Sequence, residues 1–323
     1  MKLRKMTSAG MMDCKKALEE AEGDFQKAIN IIREKGKLVA AKRADRETSE
    51  GAVKARVQDG KGIIVCLGCE TDFVSRNSDF QDLANAIADV AIANCPDDIE
   101  GLKACKMPDG YTVEEAIEAQ TGKTGEKHVL AFYAKVEAPF VKEYIHKVNG
   151  KLGAIVGYSK EVDEEIAKGL AMQVASMNPV AVSAAECPQE VIDNEYNVAV
   201  QKTKEELVKK AVDAALSKAG INPAHVDSEA HIESNTAKGW LTPEQADQAR
   251  EIIKTVGEAK AANLPEQMVQ NIAKGRLAKF FKENTLEEQE YTMSDDKKSC
   301  KEALAQVDKE AKVVCFKRFS LND

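Results

Sequence analysis

GAVKARVQDGKGIIVCLGC, residues 51–69, is the segment from which the architecture of the chain can be worked out. Residues 52–57 and 63–69 predict two β-strands, and the glycine-containing residues 58–62 predict the turn between them. The apolar spacing in residues 80–93 predicts a helix after this hairpin. Together they form a hairpin–helix unit, in which a helix can cover one face of the sheet.

The same plan recurs further along the chain, in the order strand, turn, strand, helix. Residues 140–148 and 154–158 predict a second pair of strands, joined by a turn at residues 149–153. Residues 163–177 predict the helix that follows. The recurrence indicates two related hairpin–helix copies, which we call the first copy and the second copy.

The two copies differ in the length of the connection from strand to helix. Gly62 precedes Leu83 by 21 residues, whereas Gly153 precedes Leu170 by 17 residues. The first copy therefore carries about four extra residues, and residues 71–74 lie among them.

The N-terminal part of the chain predicts three short helices, which we call the head (residues 1–38). Asp13 and Asp24 are the predicted N-caps of its second and third helices, and Gly36 is the predicted end of the third. The polar residues 39–50 predict a linker.

Long helices dominate the sequence after Pro188. Residues 189–219 and 242–262 predict two helical arms, and residues 265–281 and 312–319 predict a helix and a strand that return to the body. Thr112 and Glu115 predict a capping box between the copies. These patterns predict an α+β fold with the following parts: head 1–38; linker 39–50; first core subdomain 51–138; second core subdomain 139–188 with 264–323; and an inserted, projecting helical hairpin 189–263.

Composition limits the class of protein. The 323 residues include 43% hydrophobic and 31% charged residues, with no apolar run of the roughly 18–20 residues that a membrane span needs. The N-terminus lacks a signal-peptide pattern and the eight cysteines are scattered, so we expect a cytoplasmic protein with reduced thiols. The net charge of −8 argues against a nucleic-acid binder, although residues 1–46 carry twelve Lys/Arg against seven Asp/Glu.

Two motifs suggest chemistry but are incomplete. Cys66 and Cys69 have the spacing of a metal or redox pair, yet no second pair accompanies them, and residues three apart on a strand face opposite sides. Gly122-Lys123-Thr124 resembles the end of a phosphate-binding loop, but Ile117 occupies the position of its first glycine. The histidines show no metal-ligand spacing. We therefore predict no catalytic residue, metal site or cofactor.

Thr71, Asp72, Phe73 and Val74 allow two interpretations. In the first, a strand turns into a helix and Phe73 packs into the local core. In the second, an aromatic residue beside a charge that must stay solvated forms an anchor for a partner protein. The extra length of this connection favours the second interpretation.

Several segments resemble the translation elongation factor Ts family, whose members are exchange factors for the GTPase elongation factor Tu. The N-terminal signature of the family is similar to Leu3-Arg4 and TSAGMMDCKKAL at residues 7–18, with Ser8 in place of a glycine. The Thr-Asp-Phe-Val motif is present at residues 71–74. Further similarity is found at residues 144–153, 275–280 and 316–319.

The resemblance implies roles for particular residues. The head resembles a ubiquitin-associated module that docks on the GTPase through Leu3, Met11 and Met12, with burial in the core of the head as the alternative for these three. Asp72 and Phe73 would enter the GTPase near its magnesium site, and His146 would support that contact or be structural. Residues 206–262 exceed the usual helical hairpin of the family, and any C-terminal helix of some relatives is not expected.

Three functions from different classes follow. The favoured one is guanine nucleotide exchange on elongation factor Tu. The second is a helical scaffold that forms a homodimer through residues 189–262, and the third is a redox enzyme that uses Cys66 and Cys69.

Overall fold

The structure is a computed structural model that describes residues 2–7, 9–148 and 150–323, without the side chains of Lys5 and Met6. Ser8, the substitute for the family's glycine, and Asn149, in the predicted second turn, lie outside the described residues. The chain divides into two compact units, Met1–Val182 with Asn284–Asp323, and Ser183–Glu283. The five-part division made from the sequence is finer and stays a prediction.

The mixed architecture confirms the predicted α+β class. The strands are β1 (Glu50–Gln58), β2 (Lys61–Cys69), β3 (His128–Glu137), β4 (Phe140–Ile145), β5 (Leu152–Tyr158) and β6 (Val313–Ser320). The helices are α1 (Lys2–Thr7), α2 (Met11–Glu20), α3 (Phe25–Lys42), α4 (Asp72–Ser75), α5 (Ser78–Asn94), α6 (Ile99–Ala104), α7 (Val113–Thr124), α8 (Glu164–Met177), α9 (Gln189–Lys218), α10 (Glu229–Ala237), α11 (Pro243–Ala262), α12 (Glu266–Asn284) and α13 (Cys300–Val307).

The two copies form two antiparallel sheets of the same order. One sheet is β1-β2-β3 and the other is β4-β5-β6, so the second strand of each hairpin is central. The predicted C-terminal strand is present as β6. The sequence did not predict β3. It also did not predict that each copy has a third strand, which pairs with the second strand of its hairpin.

The sheets pack face to face, with helices on their outer faces. Along β2, Ile63, Val65 and Leu67 face the core shared with α5 and α7, whereas Ile64 and Cys66 face the second sheet. Across this interface the rings of Phe132 and Phe319 stack with centroids 4.5 Å apart. Both faces of the central strand β2 are covered, so its side chains do not alternate between apolar and polar. This explains the apolar run at residues 62–69.

Glycines allow the close approach of the two sheets. The tight turn of the first hairpin is Asp59-Gly60, with φ of 49° and 74°, so Gly62 lies within β2 rather than in the predicted turn. A Cβ atom on Gly62 would lie 2.6 Å from Cγ1 of Val141 in the opposite sheet. Gly153 lies within β5, where a Cβ would meet Cδ1 of Ile64 in the opposite sheet at 3.3 Å, besides Cδ1 of Ile145 in the neighbouring strand β4 at 2.4 Å.

The head departs from the prediction at two helix ends. Helix α2 begins at Met11 without a side-chain cap, and Asp13 lies in its first turn, where it pairs with Lys35 of α3. Asp24 does cap α3, since its Oδ1 accepts from the amides of Gln26 and Lys27 at 2.9 and 3.0 Å. Helix α3 does not end at Gly36 but continues to Lys42, because Gly36 packs closely against α7.

The unit Ser183–Glu283 is helical. Helices α9 and α11 were predicted nearly to their observed ends, and they share a small core with the segment between them, including Leu216, Ile221 and Leu241. Among the described residues, no helix combines the length and the apolar content needed to span a bilayer.

Candidate functional site

The connection between β2 and α5 contains α4, a single helical turn held by side-chain hydrogen bonds. Thr71 is its N-cap and accepts from the amide of Val74 at 3.5 Å. Ser75 Oγ donates to the carbonyl of Asp72 at 3.1 Å, and Gln81 of α5 donates to the carbonyl of Ser75 at 2.6 Å. These bonds at both ends of the turn fix its backbone although it is too short to be stable alone.

Thr71 is also attached to Glu126, which lies two residues before β3. Its amide and its Oγ1 both donate to the carboxylate of Glu126, at 3.1 and 2.7 Å. The thiol of Cys69 donates to the carbonyl of Thr71 at 3.3 Å. A charged acceptor shared by two donors makes a strong attachment, so Glu126 sets the position of the turn.

The four residues predicted as the site divide into two pairs. Thr71 holds the turn, and the half-buried Val74 packs onto the core of the first sheet. Phe73 is 85% exposed, and Asp72 is partly exposed beside Arg76, with 3.2 Å between the carboxylate and the guanidinium. The interpretation that places Phe73 in the local core is therefore wrong for this structure. Phe73 and Asp72 face solvent.

Glu70 makes a second attachment at the base of the turn. Its carboxylate accepts from Nη1 of Arg43, at 3.2 and 3.1 Å, and from the amide of Lys127 at 2.6 Å. Nζ of Lys127 donates in turn to the carbonyls of Ala44 and Arg46, at 2.6 and 2.9 Å. Sequence reasoning missed Arg43, Glu126 and Lys127, because their partners are 27 to 83 residues away and no motif links them.

His146 lies just beyond β4, in the turn of the second hairpin. Its amide donates to the carbonyl of Leu152 at 2.8 Å, while its Nδ1 is buried and has no partner among the described residues. The carbonyl of Gly150 in this turn accepts from the amide of Val53 in β1 at 2.7 Å. The turn therefore packs near the end of the first sheet where β1 pairs with Cys69, although no hydrogen bond of the described residues joins His146 to residues 71–74.

The three head residues predicted as contacts differ in exposure. Leu3 is 1% exposed and belongs to the core of the head with Cys14 and Ala17, as the alternative interpretation has it. Met11 and Met12 are 64% and 63% exposed. In this structure the head exposes the side chains of Met11 and Met12 and buries that of Leu3.

The cysteine pair lacks the features of a redox site. Cys66 faces the interface between the sheets and Cys69 faces the helices, so the two thiols do not converge. Burial raises the pKa of both thiols to about 12, which keeps them protonated and unreactive. No group of three metal-ligating side chains is found in the described part of the chain.

Comparison with known proteins gives consistent similarities. The model of the family described as "Elongation factor TS" matches residues 70–219 and 210–323. An elongation factor Ts of Bacteroides fragilis is 56% identical over 320 residues, 99% of this chain and 96% of the relative. Elongation factors Ts of Christiangramia forsetii and Porphyromonas gingivalis are 40% and 37% identical, with the same shares covered.

Proposed function

The chain belongs to the elongation factor Ts family, and from this premise we propose that it is a guanine nucleotide exchange factor for elongation factor Tu. It binds the GDP-bound GTPase in the cytoplasm and disturbs the site of magnesium and phosphate. GDP then leaves and GTP binds. The chain makes and breaks no covalent bond itself.

The observation that carries this proposal is the exposure of Phe73 on a fixed turn. A phenyl ring that is 85% exposed costs solvation free energy in the free protein. Burying it in a partner supplies roughly 1.5–3 kcal/mol. Because Thr71, Glu126 and Gln81 hold the backbone, little of this free energy is lost to ordering the loop on binding.

A wedge of this kind can weaken nucleotide binding without touching the nucleotide. Mg²⁺ requires near-ideal octahedral geometry and links the nucleotide phosphates to the GTPase. A ring inserted beside the ion, with the carboxylate of Asp72 next to it, displaces the groups that complete this geometry. In our proposal His146 supports the inserted turn, and Met11 and Met12 dock the head on the nucleotide domain.

Reciprocity makes the process a cycle. If binding of the factor lowers the affinity of the GTPase for nucleotide, nucleotide lowers the affinity of the GTPase for the factor by the same ratio. Incoming GTP therefore expels the factor, which acts in catalytic amounts.

The test is release of fluorescent GDP from elongation factor Tu with catalytic amounts of this protein. We expect Phe73→Ala to lower the stimulated rate by about 30-fold or more, the factor that corresponds to ~2 kcal/mol at an interface anchor. The control is Val307→Ala, which truncates another exposed apolar side chain, on α13.

Both variants should keep the wild-type melting temperature, since neither removes a core contact. Undiminished exchange by Phe73→Ala would exclude the wedge. Absence of stimulated release by the wild-type protein would exclude the exchange function altogether.

A further inference from the structure

We propose that residues 33–46 clamp the head onto the first core subdomain, so that Met11, Met12 and Phe73 are held in one fixed arrangement before the GTPase binds. These residues act by positioning and take the place of the linker predicted at residues 39–50. The inference rests on the proposed function, because it concerns how the two contact regions meet one partner.

The first attachment is a crossing of α3 over α7 at two glycines. A Cβ atom on Gly122 would lie 2.8 Å from Cα of Gly36, closer than real Cβ contacts. A Cβ on Gly36 would lie 3.1 Å from the carbonyl oxygen of Glu118. The backbones touch because neither residue has a side chain, and this contact also assigns a structural role to the glycine of the incomplete phosphate-loop motif.

An aromatic contact flanks the crossing. The guanidinium of Arg33, one turn before Gly36, lies 3.9 Å from the ring centroid of Tyr111, just before α7. Cation–π contacts of this kind stabilise an orientation as well as a distance. The head is thus held against rotation about the crossing point.

The second attachment lies at the end of α3. Arg43 pairs with Glu70, and Lys127 donates both to Glu70 and to the carbonyls of Ala44 and Arg46. Glu70 immediately precedes the N-cap of the Phe73 turn, and Lys127 follows Glu126, which holds that N-cap. The end of α3 and the Phe73 turn therefore share one network.

Two attachments remove the freedom that a single one would leave. Residues 36 and 43 are roughly 10 Å apart along the helix at 1.5 Å per residue. A helix fixed at two such points cannot swing as a tethered domain does. A partner that needs both the head and Phe73 then binds without first ordering them.

The test compares two glycine-to-alanine changes in helices. Gly122→Ala forces a Cβ against the backbone of α3, whereas Gly257→Ala in α11 places a Cβ 3.8 Å from Val212, an ordinary contact. Both changes favour helix to the same extent. Full-length proteins are compared by the rate of trypsin cleavage after Lys42, Arg43 and Arg46 and by titration of GDP release with elongation factor Tu·GDP.

We expect Gly122→Ala to be cleaved faster than wild type. Its KM for elongation factor Tu·GDP should rise about threefold if the docked fraction falls to about a third, with kcat unchanged. Gly257→Ala should match wild type in both measurements. Arg43→Gln, which weakens the second attachment without adding bulk, should show the same pattern, with cleavage followed at Arg46.

Wild-type cleavage and KM in both Gly122→Ala and Arg43→Gln would overturn the clamp. A fall in kcat at unchanged KM would also overturn it, since that result would mean that the Phe73 turn itself was damaged. If the wild-type protein stimulates no GDP release, the proposed function fails, and the cleavage rates alone decide whether the clamp exists.

Discussion

The first and second copies of the hairpin–helix unit share a scaffold and differ in one connection. In both, a hairpin is followed by a helix and later by a third strand that pairs with the second strand of the hairpin. Both helices end in a left-handed C-cap, Cys95 after α5 and Asn178 after α8. The likeness extends to the glycines Gly62 and Gly153, where the sheets meet.

The two copies differ in the connection between the second strand of the hairpin and the helix that follows. In the second copy residues 159–163 lead directly from β5 to the N-cap of α8, whereas in the first copy residues 70–77 include the one-turn helix α4 with Phe73. The sheet order is unaffected. The proposed partner contact therefore lies in a lengthened surface connection on a scaffold that both copies share, and Glu126 holds that connection.

The largest expected effect compares the loss of stability when a methyl group is added at Gly62 of the first copy and at Gly153 of the second. We predict that Gly62→Ala destabilises the protein by about 1–3 kcal/mol, because the short side chain of Val141 cannot move away from the added methyl group. Gly153→Ala should cost less, because the atom that its methyl group would meet first, Cδ1 of Ile145, is the end of a flexible side chain, and the backbone carbonyl oxygen of Tyr144 lies farther away at 3.1 Å. Urea unfolding measures both, and equal costs would refute this asymmetry.

The next prediction compares the effect on GDP release of removing the residue that holds the strand-to-helix connection in each copy. Glu126→Ala leaves the amide and hydroxyl of Thr71 without their acceptor. We expect this change to destabilise the folded position of α4 by about 1–2 kcal/mol. That corresponds to roughly tenfold slower stimulated GDP release.

The matched change in the second copy is Asp163→Ala, which removes the N-cap of α8. It should lower stability by about 1 kcal/mol and leave the rate of GDP release unchanged. A drop in release equal to that of Glu126→Ala would show that general destabilisation, and not the anchor, limits exchange.

A smaller effect concerns pH and the first copy alone. His128 at the start of β3 is buried, and this burial holds its pKa below the ordinary value, while its Nδ1 donates to the carbonyl of Glu126 at 2.8 Å. Below about pH 6.5 the unfolded chain therefore binds a proton that the folded chain does not, so stability should fall as the pH falls through this range. We expect His128→Gln to flatten the dependence of unfolding free energy on pH between 7 and 5; an unchanged slope would assign the loss to other groups.

The smallest effect concerns the C-caps. Asn tolerates left-handed backbone better than Cys does, so Cys95→Asn, which copies the residue of the second copy, should stabilise the protein by about 0.5 kcal/mol. Asn178→Cys should cost a similar amount. Thermal unfolding of the two variants measures this, and shifts of the same sign would mean that the caps are not equivalent.

Elements set by local interactions could be predicted from the sequence. Asp24 and the Thr112–Glu115 pair cap helices where the residue types indicate them, because a cap is complete within three or four residues. The long helices α9 and α11 were predicted from another local signal, the spacing of their apolar residues.

Features set by distant partners could not. A glycine such as Gly36 often follows the end of a helix because its helix propensity is low. Here packing against Gly122 outweighs that propensity, and the helix continues. Strand β3 pairs with β2 across the intervening residues 70–127, and this choice of partner is not readable from the residues of β3. The turn that carries Phe73 is attached to Glu126, 55 residues from Thr71, and the sequence does not indicate this contact. Two interpretations of the same four residues therefore stayed open until the structure separated them.

The strand β6 sets an order of events during synthesis. It pairs with β5, yet Ser183–Glu283 lies between them in the chain. On the ribosome the first sheet can close once β3 has emerged, whereas β5 keeps an unpaired edge until the whole helical unit has been made. During that interval the nascent chain exposes the apolar strand β5, which makes this stage of translation the time when a chaperone or a neighbouring chain can capture it.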